Sequence, residues 1–123
     1  MIKVLVVDDS NTMRRIIKKT LNQAGVEDIV EAEDGIDALK KLAENTDIDL
    51  IMLDVNMPRA DGLTTLKELK SMPETAAIPV IMCTSESDKS VVIECIRSGA
   101  KDYIVKPFNK EIIAEKIQNL LKT

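Results

Sequence analysis

The chain has 123 residues, of which 45% are hydrophobic and 31% are charged, and its formal net charge is −4 at pH 7. This size favours one compact domain, residues 1–123, and the acidic balance argues against electrostatic binding to nucleic acid or to an anionic membrane surface. The chain has no histidine and only two aromatic residues, one Tyr and one Phe, which excludes histidine-based catalysis, histidine-ligated metals and a base-stacking platform.

Three features that the sequence lacks indicate the cellular location: a membrane-spanning run, a signal peptide and a CxxC pair. No apolar run approaches the roughly 20 residues that span a bilayer. Met1 is followed at once by a strand-like run, without a basic leader and a cleavage site, so we expect no signal peptide. Cys83 and Cys95 do not form a CxxC pair, which is typical of reduced, structural thiols. We therefore expect a cytoplasmic protein.

Short apolar runs alternate with amphipathic stretches five times along the chain. The runs are rich in Val and Ile and too short for helices, so they predict five strands: Lys3–Val7, Ile29–Ala32, Leu50–Leu53, Val80–Cys83 and Tyr103–Val105. Apolar residues at helical spacing form four stripes: Met13, Ile16, Ile17, Leu21 and Ala24; Leu39, Leu42 and Ala43; Val92, Cys95 and Ile96; and Ile113, Ile117, Leu120 and Leu121.

Helix-terminal residues fit this division of the chain. Ser10 and Asn109 are suited to cap helix starts, whereas Gly25 and Gly99 follow predicted helix ends. Alternation of strand and helix predicts a parallel sheet with helices on both faces.

The composition of the strands indicates their order. The first, third and fourth runs are almost wholly apolar, as strands buried on both faces are. The second run carries Glu31 and the fifth is short and flanked by charged residues, so both fit the edges of the sheet. We predict a flavodoxin-like (βα)5 doubly wound five-stranded parallel sheet in the order 2-1-3-4-5.

Polar side chains follow the strands where their carboxyl ends meet in one crevice. Asp8 and Asp9 follow the first strand and Asp54 the third, while Thr84 follows the fourth and Lys106 the fifth. At 4 Å each carboxylate pair repels by about 4 kcal/mol at an effective dielectric of 20, and Lys106 offsets one charge. A divalent ion would neutralise the rest, and all-oxygen ligands indicate Mg²⁺. Because Mg²⁺ favours phosphate as a co-ligand, we expect phosphoryl chemistry.

Four blocks of sequence resemble the signature motifs of bacterial response-regulator receiver domains. These blocks are Val6–Ser10, Leu53–Pro58 with Asp61–Gly62, Met82–Ser85 and Gly99–Phe108. The resemblance covers the whole chain. The resemblance is strongest to stand-alone chemotaxis regulators, because of the stretch Asp9–Arg15 and the lack of an output domain. We expect the chain to be a natural full-length protein of this kind.

The resemblance implies a phosphoacceptor rather than an enzyme. Asp54 would accept a phosphoryl group from the phosphohistidine of a sensor histidine kinase and would assist its own phosphorylation and dephosphorylation. Lys106 and Thr84 would each contact a phosphoryl oxygen. The implied Mg²⁺ ligands are Asp8, which acts directly or through water, Asp9, Asp54 and the backbone carbonyl of Asn56.

The resemblance also implies a switch. Thr84 would move toward the phosphoryl group and Tyr103 would turn inward into the space released. Asn56 and Glu86 would tune access of water to the phosphoryl group, with dephosphorylation in seconds to minutes. The Lys106–Pro107 bond would be cis.

The expected partners are the chemotaxis kinase and the flagellar motor switch, and a dedicated phosphatase is a further candidate. We expect the protein to be a monomer. The partner face would contain Lys89, Val92, Tyr103 and Lys116.

Other interpretations compete with this one. A haloacid-dehalogenase-type hydrolase needs a second Asp where the chain has Asn56, and a flavodoxin-like phosphate binder would be repelled by Asp8 and Asp9. A phosphorelay intermediate, or an isolated receiver module of a larger regulator, remains open. A basic run on the first helix predicts a solvated face, with a role in docking of the kinase as the alternative; its residues are Arg14, Arg15, Lys18 and Lys19.

Overall fold

Strands and helices alternate through the chain in the computed structural model, which describes residues 2–55, 61–85 and 89–121. In chain order the elements are β1 (Lys3–Val7), α1 (Asn11–Gln23), β2 (Asp28–Ala32), α2 (Gly35–Glu44), β3 (Leu50–Asp54), α3 (Gly62–Ser71), β4 (Val80–Thr84), α4 (Lys89–Arg97), β5 (Asp102–Val105) and α5 (Lys110–Leu121). The five predicted strands are confirmed, and none differs from its predicted bounds by more than one residue at either end.

The five strands form one parallel sheet in the order β2-β1-β3-β4-β5. This confirms the predicted flavodoxin-like topology. Every residue of β3 and β4 is buried, as expected for central strands with helices on both faces. The edge strand β2 is more open, and its first residue Asp28 is exposed. Val7 pairs with Leu53, and Asp54 pairs with Cys83, so the carboxyl ends of β1, β3 and β4 lie at one edge of the sheet.

Two hydrophobic layers hold the helices on the sheet. On one face, α1 and α5 pack on the strands through Ile17, Leu21, Ile113 and Ile117. On the other face, α2, α3 and α4 pack through Ala38, Leu42, Leu66, Leu69 and Cys95. Full burial of one such aliphatic side chain stabilises a fold by about 1.5–3 kcal/mol, so these layers fix the sheet edge on which the polar residues lie.

The predicted helix ends are confirmed. Ser10 Oγ accepts a hydrogen bond from the Met13 N–H at 3.1 Å, and Asn109 Oδ1 accepts one from the Ile112 N–H at 3.0 Å. Gly25 and Gly99 adopt φ of +94° and +112°, which only glycine adopts without strain. None of the helices in the described part of the chain is both long and apolar enough to cross a membrane.

Among the stripe residues whose burial the structure describes, three face solvent instead of the core. Ile16 and Ile96 are 51% and 43% exposed, and Ala43 is exposed as well. Each is the sequence neighbour of a buried residue. Successive side chains of a helix point in directions about 100° apart, so the neighbour of a buried residue turns away from the core. Each of these helices covers the sheet with one side only, so a wide apolar stripe cannot be buried across its full width.

The prediction that Arg14 lies on a solvated face is wrong. Its side chain turns toward the sheet edge and forms an ion pair with Glu31 of β2, and the residue is only 9% exposed. The neighbouring Arg15, Lys18 and Lys19 are exposed as predicted.

Candidate functional site

Three carboxylates meet at the carboxyl edge of the sheet. One oxygen from each of Asp8, Asp9 and Asp54 lies within 4.8 Å of the others. Asp8 and Asp54 are 1% and 5% exposed, whereas Asp9 is exposed. The sheet brings them together because β1 and β3 are neighbours in register, as expected from the doubly wound topology.

Lys106 lies against the two buried carboxylates. Its Nζ is 3.0 Å from Asp54 Oδ1 and 3.2 Å from Asp8 Oδ2. Burial of Lys106 acts to lower the pKa of its ammonium, but the charges and hydrogen bonds of Asp54 and Asp8 outweigh it and raise that pKa. Lys106 is therefore a cation at neutral pH, and its single charge balances one of the three negative charges.

The backbone around Lys106 is held on β4. The Lys106 N–H donates to the Thr84 carbonyl at 2.7 Å. The Lys106–Pro107 peptide bond is cis, as the resemblance implied.

Asp8 is fixed by its neighbours on both sides of the chain. Its Oδ1 accepts a hydrogen bond from the Ser10 N–H at 2.9 Å, and its own N–H donates to the Ala32 carbonyl at 3.1 Å. With Lys106 on Oδ2, both carboxylate oxygens of Asp8 already have a partner. Asp9 differs, because its carboxylate makes no hydrogen bond or ion pair with any of the described residues.

Thr84 ends β4 beside the acidic cluster. It is 2% exposed, and its Oγ1 donates to the Ser85 carbonyl at 3.0 Å. Because Asp54 pairs with Cys83 in the sheet, Thr84 lies one residue beyond the level of Asp54 at the same edge. The other two residues expected near the phosphoryl group, Asn56 and Glu86, lie outside the described residues.

Gly62 belongs to one of the sequence blocks that carry the resemblance, but no role in the site was predicted for it. A Cβ added there would lie 2.3 Å from the Asp54 carbonyl oxygen and 2.8 Å from Val55 Cα, which are closer approaches than a side chain allows. The Gly62 N–H donates to the Val55 carbonyl at 2.9 Å. A glycine at a helix start, a few residues after the central aspartate, is the signal that would have indicated this close approach.

An open groove of ≈ 820 Å³ extends from Thr84 along α4 and β5. Its walls include Lys89, Val92, Ile96 and Tyr103. Tyr103 is 42% exposed, whereas Val92 is 8% exposed and so contributes to the inner wall of the groove instead of projecting from the surface.

Lys116 of α5 completes the predicted partner face. Its Nζ is 3.0 Å from Asp102 Oδ1 and 5.5 Å from the centre of the Tyr103 ring. The four residues of the predicted face are therefore placed on neighbouring parts of α4, β5 and α5.

The two cysteines are structural, as expected. Both are free and buried. Burial raises the pKa of the Cys83 thiol to about 12, and it also raises the pKa of Cys95, so neither supplies a thiolate at neutral pH.

Comparisons with known proteins show the family to which the chain belongs. Residues 4–118 match the family model described as the response regulator receiver domain. The chain is 46% identical to chemotaxis protein CheY1 of Helicobacter pylori over 121 residues, which cover 98% of each protein. It is 43% identical to a chemotaxis protein CheY homolog of Campylobacter jejuni, over 98% of this chain and 93% of that protein.

A solved structure gives the same result. Chemotaxis protein CheY4 of Vibrio cholerae superposes with a TM-score of 0.88 and 36% sequence identity, over 98% of this chain and 99% of that one. Proteins of this type are phosphoacceptors in two-component signalling with a histidine kinase, and they are not classical enzymes. The chain belongs to the response regulator receiver domain family, and it is similar to the CheY chemotaxis proteins within it.

Proposed function

We propose that the chain is a single-domain phospho-switch in which Asp54 accepts a phosphoryl group from the phosphohistidine of a sensor kinase. The observation that carries this proposal is the position of Asp54. It is a buried carboxylate with a lysine ammonium at 3.0 Å, and the carboxylates of Asp8 and Asp9 lie beside it. Phosphoryl transfer depends mainly on positioning and charge neutralisation, and this arrangement provides both.

The acidic cluster fits Mg²⁺ by the chemistry of its donors. All three side chains offer oxygen, the preferred ligand of this ion, and two of their negative charges are not balanced by Lys106. Asp8, Asp9 and Asp54 would hold the ion, together with the backbone carbonyl of Asn56. When bound, Mg²⁺ would supply the positive charge that allows an anionic phosphoryl group to approach three carboxylates.

The residues of the chain then have distinct tasks in the transfer. An Asp54 carboxylate oxygen attacks phosphorus in line with the bond to the donor nitrogen. An O–P bond forms as the P–N bond breaks, and the bonding electron pair leaves with the imidazole of the kinase. Lys106 moves from the Asp54 carboxylate to a phosphoryl oxygen, and the Thr84 hydroxyl donates to another.

Phosphorylation changes the charge of the site. The acyl phosphate on Asp54 carries about two negative charges, where the free carboxylate carries one. The additional charge favours a hydrogen bond from Thr84, and a charge-assisted bond of this kind contributes about 1.5–3 kcal/mol. For two packings of nearly equal free energy, this contribution changes the equilibrium constant between them by one to two orders of magnitude.

The groove between α4 and β5 supports a switch that involves Tyr103. Thr84 and Tyr103 both line this groove, so movement of Thr84 toward the phosphoryl group would change the space beside the ring. We propose that Tyr103 then turns inward. The changed surface, with Lys89 and Lys116 beside the groove and Val92 in its wall, would alter the affinity for a partner.

The identity of the partners is proposed from the relatives. Their names mark them as chemotaxis proteins, and we propose a chemotaxis kinase as phosphoryl donor and the flagellar motor switch as target. We further propose that the protein is a cytoplasmic monomer whose one domain spans residues 1–123. Spontaneous dephosphorylation in seconds to minutes, tuned by Asn56 and Glu86, completes the proposal.

The direct test is incubation with acetyl phosphate and Mg²⁺, followed by intact mass measurement. The wild type should gain the mass of one phosphoryl group, and Asp54→Asn should gain none. Asp61→Asn is a matched control, because Asp61 caps α3 and is not proposed as an acceptor. Failure of the wild type to gain this mass, or an equal gain in Asp54→Asn, would contradict the proposal.

Tyr103 offers a second test, because it is the only tyrosine and the chain has no tryptophan. Tyrosine fluorescence therefore reports on this ring alone. Addition of beryllofluoride with Mg²⁺ should change the emission of the wild type, as the ring leaves solvent and the ammonium of Lys116. The change should be strongly reduced in Thr84→Ala. An identical response of both proteins would argue against coupling between Thr84 and Tyr103.

The motor-switch target is tested by capture on an immobilised motor-switch peptide. The protein should bind more tightly with beryllofluoride and Mg²⁺ than without them. Equal binding in both states would reject this target and would favour a phosphorelay intermediate or a module of a larger regulator.

A further inference from the structure

Arg14 is a buried cation that connects the acidic cluster to the edge of the sheet. It lies in the first turns of α1 and is 9% exposed. Its Nη1 donates to the backbone carbonyl of Asp8, and its Nη2 donates to Asn11 Oδ1. Its Nε donates to Glu31 Oε1 on β2 at 3.2 Å. A guanidinium is planar and offers donors in several fixed directions, which the ammonium of a lysine does not.

The carbonyl that Arg14 contacts belongs to the peptide that joins Asp8 to Asp9. The orientation of this peptide decides the direction in which the Asp9 side chain leaves the backbone. The Asp8 N–H is held by Ala32, and Arg14 holds the carbonyl. Asp9 itself is exposed and finds no side-chain partner within residues 2–55, 61–85 and 89–121. The backbone therefore orients its carboxylate in this structure.

We propose that Arg14 is a positioning residue for the metal ligands, and this inference rests on the proposed function. By fixing the Asp8–Asp9 peptide against Asn11 and Glu31, it directs the Asp9 carboxylate toward those of Asp8 and Asp54. Arg14 thus reduces the conformational freedom that the Asp9 side chain would otherwise lose on binding Mg²⁺.

The charge of Arg14 allows a clear distinction between positioning and a purely electrostatic role. A nearby cation opposes the binding of a dication, so removal of its charge alone would tighten Mg²⁺ binding. Loss of positioning has the opposite effect, because mutation of groups that orient metal ligands commonly weakens metal affinity about 10–100-fold. The sign of the change in affinity therefore decides between the two roles.

The experiment is titration calorimetry of MgCl₂ into the wild type and into Arg14→Met, Arg14→Lys and Arg15→Met, at equal ionic strength. Circular dichroism confirms that each variant is folded. Arg14→Met should weaken Mg²⁺ binding about tenfold, and Arg14→Lys should restore only part of the affinity despite its equal charge. The matched control Arg15→Met removes the same charge from an exposed neighbour and should not weaken binding.

A second, neutral variant keeps the inference testable if Arg14→Met does not fold. Asn11→Ala removes one acceptor of the guanidinium on an exposed residue without changing the charge of the site. It should weaken Mg²⁺ binding measurably but by less than about tenfold, because Asn11 holds the guanidinium and does not contact the ligand peptide itself.

The outcomes separate this inference from the proposed function. Mg²⁺ uptake by the wild type with equal or tighter binding by Arg14→Met would overturn the positioning role alone. Unchanged affinity in Asn11→Ala would overturn it as well. Absence of Mg²⁺ uptake by the wild type would overturn the proposed function and this inference with it.

Discussion

Lys106 contacts both buried carboxylates of the acidic cluster, so its charge should matter for folding as well as for the proposed phosphoryl transfer. Its Nζ lies 3.0 Å from Asp54 and 3.2 Å from Asp8, and its side chain is 18% exposed. Without this cation, two buried carboxylates and Asp9 would repel one another. Removal of one partner from a fully buried ion pair costs about 3–5 kcal/mol, and solvent at Asp9 reduces that cost here.

Lys106→Met should lower the free energy of unfolding by about 2 kcal/mol in Mg²⁺-free buffer near neutral pH. Burial of Lys106 acts to lower the pKa of its ammonium, but Asp54 and Asp8 raise it above 10.5 overall. A raised lysine pKa gives stability that is present below the unfolded-state pKa and is lost as pH rises through the folded-state pKa. The difference between wild type and Lys106→Met should therefore shrink above pH 10.5.

Urea unfolding of both proteins between about pH 8 and pH 12 measures this difference. Lys19→Met is the control, because Lys19 is exposed on α1 and its effect on stability should be small at every pH. A difference between wild type and Lys106→Met that stays constant across this range would contradict the electrostatic account.

At the scale of elements, the start of α3 determines the backbone position of Asp54. Asp61 caps the helix, with Oδ1 accepting from the Thr64 N–H at 2.7 Å. This backbone hydrogen bond, followed by the Thr64 side chain, lowers the pKa of Asp61 against the opposing effect of burial. Gly62 then packs directly on the Asp54–Val55 backbone. Any side chain at Gly62 must displace α3 or the end of β3.

Gly62→Ala should destabilise the fold by about 2–3 kcal/mol, because its Cβ would meet backbone atoms that cannot move independently. It should also slow phosphoryl uptake from acetyl phosphate, since the displaced backbone carries Asp54. Gly25→Ala is the matched control. Gly25 has φ +94° with nothing within 4 Å of an added Cβ, so it should cost about 1 kcal/mol and leave phosphoryl uptake unchanged. Equal uptake in all three proteins would contradict a positioning role of Gly62.

Strands and helices with a clear hydrophobic pattern could be predicted from the sequence. The strands are short and apolar, and edge strands differ from central ones in charge, so the order β2-β1-β3-β4-β5 could be predicted. No stripe predicted α3, because its buried face includes Gly62 and Thr65 beside Leu66 and Leu69. A face that contains a glycine and a threonine gives a weak hydrophobic pattern.

The topology of the sheet made it possible to predict which strand-end residues lie together. It did not make it possible to predict which neighbouring side chains support them. Parallel strands bring their carboxyl ends to one edge, so Asp8, Asp54 and Lys106 meet although Asp8 and Lys106 are 98 positions apart. The burial of Arg14 depends on Glu31, 17 positions away on β2. Nothing in a run of basic residues indicates which of them turns toward the sheet edge.

At the scale of the whole molecule, the proposed Mg²⁺ site predicts that the stability of the fold depends on this ion. The folded chain gathers three carboxylates that the unfolded chain keeps apart, so under the proposed function Mg²⁺ should bind the folded state preferentially. At a concentration of 100 times its dissociation constant, such a ligand adds about 2.7 kcal/mol to the free energy of unfolding. For a domain of this size, 1 kcal/mol corresponds to about 4 °C in Tm. The wild type should therefore gain about 10 °C at this Mg²⁺ concentration.

Asp9→Asn should reverse the order of stability between the two conditions. Without Mg²⁺ the variant should be more stable than the wild type by about 1 kcal/mol, because one charge is removed from a set of repelling carboxylates and solvent at Asp9 screens that repulsion. With Mg²⁺ the wild type should be the more stable protein, because the variant lacks a ligand and gains little from the ion. Thermal unfolding in EDTA and in MgCl₂, with NaCl matching the ionic strength, measures both differences. Equal Mg²⁺ responses of the two proteins would show that Asp9 is not a ligand, whereas a wild type less stable than Asp9→Asn at every Mg²⁺ concentration would show that the cluster does not bind the ion.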